Sequence, residues 1–253
     1  MQSIEEQAVN LFQINLEYLK NNHKSIYEKV SILGQAISDG SFKENYSLEY
    51  KNEYFDVLEI SSNQYLYNQN SIEHAKSLAK NINYKKSDAV IEGFYDIKIS
   101  DEQAKIQDAE VRSYYQKFAE SKIINYNASA TSRDDDMKNL LKFIFCGVGL
   151  GFHIAEIQNK VKSSLIFIME DNLEIFRLSL FTTNYQSISE QARLFFSIMD
   201  DDIDFESSFR DFFTQGYTHN HYIKYALFSQ NDIKKIKRIQ DSIVRSRHLI
   251  RPY

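Results

Sequence analysis

Apolar residues recur along positions 3–21 at Ile4, Ala8, Leu11, Phe12, Leu16 and Leu19. That is the 3.6-residue spacing of one helix face, so the chain opens with an amphipathic helix. From Tyr46 the pattern changes to short β-rich runs, YSLEY and YFDVLEI, around a polar break at Lys51-Asn52-Glu53. This predicts a hairpin, with a short strand at 64–67 extending it. Ser71 is placed to cap a helix through about Asn81, and 89–99 returns to strand character with Gly93 as a bulge or bend. Ser100-Asp101-Glu102-Gln103 fits a capping box that opens a helix to about Ile124. Residues 1–126 therefore form an α+β domain, and the polar stretch 127–138 is the expected linker.

A different pattern begins at 139. Leu140 to Cys146 (LLKFIFC) is a nearly continuous apolar run, as in a strand buried on both faces of a parallel sheet. It leads into Gly147-Val148-Gly149-Leu150-Gly151, then a helical stretch Phe152 to Val161, then a second buried strand, Leu165 to Met169. This is a βαβ unit. A third strand is expected at Leu194 to Met199, a helix at Asp204 to Phe213, and a fourth strand at Tyr222 to Phe228. The fold class is thus α/β, an N-terminal α+β domain followed by a Rossmann-like parallel-sheet domain over 139–253. With about four strands where such domains carry five or six, the second domain is expected to be incomplete.

The chain has 253 residues, 43% of them hydrophobic and 26% charged, enough to bury a real core. The 18 Phe and 17 Tyr make that core ring-rich, while 7 Gly and 1 Pro leave most reversals to Asn, Asp and Ser. The one cysteine, Cys146, forms no internal disulfide and no cysteine-based zinc site. The start MQSIEEQAVN lacks the basic and apolar regions of a secretion signal, so a cytoplasmic location is expected. No apolar run is long enough to span a membrane. Net charge is −5, yet residues 231–253 carry seven Lys and Arg against Asp232 and Asp241. The rest of the chain is acidic, which argues against nucleic acid as a partner. In the basic segment Ile233, Ile236, Ile239 and Ile243 share a helical face, either to pack on the sheet or to meet a membrane surface or partner.

The glycine turn carries the candidate chemistry. Glycines let the chain reverse tightly and bring bare backbone N–H groups to a ligand at the N-terminus of the following helix. Glu170, directly after the second strand, occupies the place where a Rossmann-type site puts the acid that accepts ribose hydroxyls. The alternative is that the glycines pack the helix close to the sheet and Glu170 caps the helix starting near Asn172. Asp200, Asp201, Asp202 and Asp204 follow the third strand. Asp200 and Asp202 would be ligands for a divalent metal, or the run caps the next helix. His219 and His221 would share one face of a strand, and His153 lies one turn into the glycine-loop helix where it could meet an anion.

Phe145-Cys-Gly-Val-Gly-Leu-Gly-Phe-His-Ile154, with Ile166-Phe-Ile-Met-Glu-Asp-Asn-Leu-Glu-Ile-Phe-Arg-Leu-Ser-Leu180, resembles the motility accessory factor (Maf) family of flagellin glycosyltransferases. The upstream region with Gln64-Tyr-Leu-Tyr67 also looks like that family's N-terminal domain. The resemblance implies transfer of a nonulosonic acid, pseudaminic or legionaminic in type, from a CMP-activated donor to Ser or Thr of flagellin. It implies a sialyltransferase-like Rossmann domain that needs no metal and no cofactor beyond the donor substrate. By this likeness Gly147, Gly149, Gly151 and Glu170 belong to the CMP-sugar crevice; the likeness carries over no catalytic base, and His153 and His219 are candidates for catalysis by residue type alone. Family members run longer, so the chain is expected to be an N-terminal portion. Two other readings share the residues: an S-adenosylmethionine-dependent methyltransferase, whose glycine turn and acid look alike, and a non-catalytic flagellin-binding module.

Overall fold

The computed structural model describes residues 3–82, 89–93, 140–216 and 221–245. The predicted helix from Ser100, the linker 127–138 and His219 lie outside the described residues. Helix α1 (Ile4–Asn22) starts on a capping box in which Ser3 and Glu6 bond each other's backbone N–H groups. Helix α2 (Lys24–Ser38) follows without a loop. Strands β1 (Tyr46–Lys51) and β2 (Tyr54–Glu59) form the predicted hairpin, and β3 (Gln64–Tyr65) pairs antiparallel with β2. Asn52 and Glu53, with φ of 50° and 68°, close it as a two-residue turn whose twist suits the strands. Helix α3 (Ser71–Asn81) is capped by Asn70, one residue before the expected Ser71, whose hydroxyl instead donates to the Phe55 carbonyl.

The second sheet has five strands in the order β4-β8-β5-β6-β7. They are β4 (Val90–Gly93), β5 (Lys142–Cys146), β6 (Leu165–Glu170), β7 (Arg193–Ile198) and β8 (His221–Leu227). β8, β5, β6 and β7 are parallel, and β4 runs antiparallel along the outer side of β8. β4 comes from the segment assigned by sequence to the first domain, so the larger sheet draws an edge from across the expected boundary. Four helices follow its strands β5, β6 and β7 in the chain: α4 (Phe152–Val161), α5 (Leu173–Ser179), α6 (Tyr185–Ser189) and α7 (Asp202–Phe213). The last described helix is α8 (Ile233–Arg245).

Alternate residues of the central strands face opposite layers, as a strand buried on both faces requires. Phe143, Phe145, Ile166, Ile168, Leu194 and Phe196 pack with Leu19, Val30, Leu33 and Ala79 from α1, α2 and α3. Ile144, Cys146, Phe167, Met169 and Phe195 pack with Phe205, Phe209, Phe212 and Phe213 of α7 and the isoleucines of α8. The N-terminal helices are thus one outer layer of the larger sheet rather than the shell of a separate core.

Three basic residues of α8 pair within the molecule, while Lys234 and Lys237 are exposed. Arg238 donates to the Asp200 and Asp201 carbonyls and pairs with Asp202 at 3.1 Å, while Arg245 pairs with Glu206. Lys235 pairs with Asp232 and Asp171. With Ile236, Ile239 and Ile243 buried, packing on the sheet is the observed outcome of the two uses open to this helix. No described helix is long and apolar enough to cross a membrane.

Candidate functional site

Numbered from β5, the parallel strands run in the order third, second, first, fourth, so the direction of winding reverses between β5 and β8. Open α/β sheets bind ligands in the crevice at such a switch point, outside the carboxyl ends of the strands. The glycine turn stands there. Gly147, Gly149 and Gly151 have φ of 89°, 50° and 77°, left-handed values that glycine adopts without a Cβ clash.

The donors of this turn are largely occupied by the protein itself. Gly147 N–H bonds the Met169 carbonyl at 2.9 Å and Gly151 N–H the Val148 carbonyl at 2.8 Å. Val148 N–H donates to Glu170 Oε2 at 2.8 Å, and Leu150 N–H to the Tyr67 hydroxyl at 2.7 Å. The Leu150 carbonyl accepts from the hydroxyls of Thr182 and Thr183. Space above the turn is filled as well. A Cβ on Gly149 would lie 2.6 Å from the Phe228 ring and 2.7 Å from the Tyr67 hydroxyl. One on Gly147 would meet Asp232 at 2.6 Å, and one on Gly151 would meet Thr183 at 2.6 Å.

Glu170 lies at the end of β6, 8% exposed, and its second oxygen accepts from Asn172 N–H at 3.1 Å. It braces the glycine turn rather than capping α5, whose cap is Asn172. Burial holds its carboxyl above the usual range, against the Val148 bond and the nearby Lys235 ammonium, which pull it down. Burial pulls Lys235 down, but its bond to Asp232 and the charges of Glu170 and Asp171 more than offset this and leave it raised. Glu174 accepts from Asn45 N–H and Nδ2 at 2.7 and 2.6 Å, tying α5 to the start of β1. Each polar member of the Glu170-Asp-Asn-Leu-Glu174 segment that resembles the family therefore has an internal partner or a cap to make.

His153 is 1% exposed, between Phe145 and Phe228 at ring distances of 5.8 and 5.5 Å. One ring nitrogen bonds the Gly147 backbone; burial, then the neighbouring His74, bring its pKa down to about 3. Its Nε2 is buried without a hydrogen-bond partner, and so is His74 Nδ1. His153 is thus a neutral acceptor beside the turn and not a proton donor near neutrality. His221 begins β8, and its side chain lies outside the described positions. Cys146 is fully buried, and burial pushes its thiol up, so it is a core residue. Asp200 pairs with Lys29 at 2.6 Å and Asp202 with Arg238, while Asp201 caps α7. The acidic run is brought to the far end of the sheet edge with cations already in place. Among the described residues no group of three or more His, Cys, Asp or Glu is arranged to hold a metal ion. A groove of about 620 Å³ opens elsewhere, along β7 beside Tyr18, His23 and Arg193, and includes none of the predicted site residues.

Tyr67, Phe228, Asp232 and Lys235 were not among the sequence candidates and are the side chains that close the turn. Position could have flagged Phe228, since it follows the fourth strand directly; Tyr67 ends the Gln64-Tyr-Leu-Tyr67 segment that resembles the family, but nothing in that segment tells that its hydroxyl reaches the glycine turn.

The model of the glycosyltransferase Maf N-terminal domain matches residues 11–232 of this chain. The chain belongs to the Maf glycosyltransferase family. The matched range takes in both sheets and the glycine turn. The chain is also similar in fold to the Maf glycosyltransferase from Magnetospirillum magneticum AMB-1, with a TM-score of 0.63 over 93% of this chain at 12% identity. It spans 35% of the length of that Maf protein. No curated protein sequence matches the chain.

Proposed function

We propose that this chain serves in a flagellin glycosyltransferase that moves a nonulosonic acid of the pseudaminic or legionaminic type from a CMP-activated donor to Ser or Thr hydroxyls of flagellin, in the cytoplasm, supporting flagellar assembly. The Maf match over residues 11–232 carries this reading. It takes the place of the methyltransferase alternative, which rested on a glycine turn and acid common to both classes. Where this part of the enzyme would meet the donor is the β5/β8 switch point, with the backbone of Gly147, Gly149 and Gly151 and the carboxylate of Glu170 around the nucleotide.

The occupied turn favours a second reading, a non-catalytic module that binds flagellin or docks onto the rest of the enzyme. The N–H groups of Gly147, Val148, Leu150 and Gly151 are bonded within the chain, and Tyr67 and Phe228 fill the space over Gly149. Calorimetric titration with CMP and with S-adenosylhomocysteine, followed by flagellin co-sedimentation, separates the two. Saturable CMP binding supports the donor crevice. Flagellin binding without CMP binding supports the module, and S-adenosylhomocysteine binding would overturn both.

A further inference from the structure

The larger sheet ends at β7, which pairs on one side with β6 and meets no other strand among the described residues. In a parallel ladder, alternate residues bond to the neighbouring strand. Arg193 N–H bonds the Ser164 carbonyl at 2.9 Å and Met199 N–H the Glu170 carbonyl at 2.8 Å, so Arg193, Phe195 and Ser197 turn their backbone groups to β6. Leu194, Phe196 and Ile198 turn theirs to the free edge. Lys29 Nζ donates to the Ile198 carbonyl at 2.9 Å and pairs with Asp200 at 2.6 Å, which closes this end. The side chains of Leu194, Phe195 and Phe196 are buried on the two faces of the sheet, so β7 presents the backbone of Leu194 and Phe196 outward.

The groove of about 620 Å³ runs along this edge. Tyr18, Asn22, His23 and Ser189, from the α1–α2 junction and the end of α6, form one wall, and Ser208 and Asp211 of α7 form the other. A pocket of about 270 Å³ shares His23, Phe196 and Ser208 with it and continues it towards Asp200. His23 Nε2 and the Tyr18 hydroxyl share a hydrogen bond of 3.0 Å, and the His23 ring stands edge-on to Phe196 at 4.8 Å. Burial, then the Arg193 charge, bring the His23 pKa down to about 4, so this wall is polar but uncharged near neutrality.

We propose that the β7 edge is a docking site for an extended segment rich in Ser and Thr, contributed by the flagellin acceptor, which adds to the sheet as a further strand. The proposal rests on the flagellin reading above and deepens it by assigning where the acceptor backbone lies. Main-chain bonds to Leu194 and Phe196 would hold a strand in register, and its side chains, pointing alternately to the two walls, decide which strand fits. Both walls carry hydroxyl, amide or carboxylate groups, which an apolar strand from a protein core would leave unbonded. Short hydroxyl side chains can bond to either wall, as donors and as acceptors. Arg193 and Asp211, the charged residues of the larger groove, are opposite in sign, so an uncharged segment is favoured over a strongly acidic or basic one.

The test is amide hydrogen exchange of the wild-type chain with and without unglycosylated flagellin, together with flagellin co-sedimentation of wild type and of Ser208→Tyr, whose ring would fill the groove without entering the core. With flagellin bound, the Leu194 and Phe196 amides should exchange about tenfold more slowly or better, while the Phe195 amide, already bonded to β6, stays as it was. Ser208→Tyr should bind flagellin about tenfold more weakly than wild type. Equal binding by Ser208→Tyr, or binding without new protection at Leu194 and Phe196, overturns the proposal and leaves the flagellin reading standing. Absence of flagellin binding to the wild-type chain overturns the docking site and the flagellin-binding reading of this chain together. Protection of the same two amides without flagellin, rising with chain concentration, makes a second copy the occupant and overturns the assignment to the acceptor. Should Ser208→Tyr fail to fold, the exchange result on the wild-type chain decides alone.

Discussion

Replacing Gly149 with Ala adds one methyl group and probes two physical costs at once. At φ 50° an L-residue sits in the left-handed region, which costs ~1–2 kcal/mol. The new Cβ would lie 2.6 Å from the Phe228 ring and 2.7 Å from the Tyr67 hydroxyl, and overpacking of this kind costs ~1–3 kcal/mol. Reduced freedom of the unfolded chain returns ~0.4–1 kcal/mol. The expected net loss is therefore about 2–4 kcal/mol by urea denaturation. Phe228→Ala and the double variant complete a cycle. Removing the ring relieves its share of the clash but not the backbone strain, so the double variant should be more stable than additivity gives by about 1–2 kcal/mol. A loss below about 1 kcal/mol for Gly149→Ala, or an additive cycle, refutes the claim that Phe228 is seated on the turn.

Three further outcomes follow from buried polar groups. Asn15→Leu removes bonds to the Leu180 and Thr183 carbonyls and from Tyr185 N–H, leaving all three buried groups short of a partner; a loss of about 3–5 kcal/mol in thermal denaturation is expected, and one below about 1 kcal/mol would contradict it. Lys142, 2% exposed with its ammonium on the Phe213 carbonyl, has its pKa brought by burial down to about 8. Because the unfolded chain then binds the extra proton between that value and the ordinary 10.5, wild-type stability should rise with pH over this window relative to Lys142→Met, and parallel urea series would disprove it. His153 stays neutral when folded down to about pH 3, so the unfolded chain gains a proton that the folded one lacks between pH 6.5 and 3. Stability is lost as pH falls through that range, and His153→Gln should flatten the slope; equal slopes would show that the ring is not buried neutral.

The elements that positioned the candidate site were legible because their signals are local. Helix α4 spans the predicted Phe152–Val161, and β6 and β7 fall within one residue of expectation, since an apolar run between polar breaks has little else to become. Helix α2 lies outside the elements expected from sequence, although Ile26, Val30 and Leu33 repeat at helical spacing and are all buried. The placement of β4 was illegible in principle, because a four-residue run states its β character but not its partner. At the site, the glycines and Glu170 could be read from the sequence, but their internal partners could not. Tyr67, Phe228 and Asp232 reach the turn through tertiary contacts with no fixed spacing to reveal them.

The pairing of β4 with β8 has a consequence for dissecting the protein. Gly93 is opposite His221 and Val90 opposite Lys224, so the strand that closes this side of the sheet is supplied by a region far upstream in the chain. A product starting at residue 139 would present β8 with bare backbone donors and acceptors along one whole side, the template on which strands from other molecules add. It would also lack the helices that cover Phe143, Ile166 and Leu194. Such a fragment should associate or aggregate, and the fold should be slow to complete, since its edge closes only after the longest loop in the sheet has been brought together.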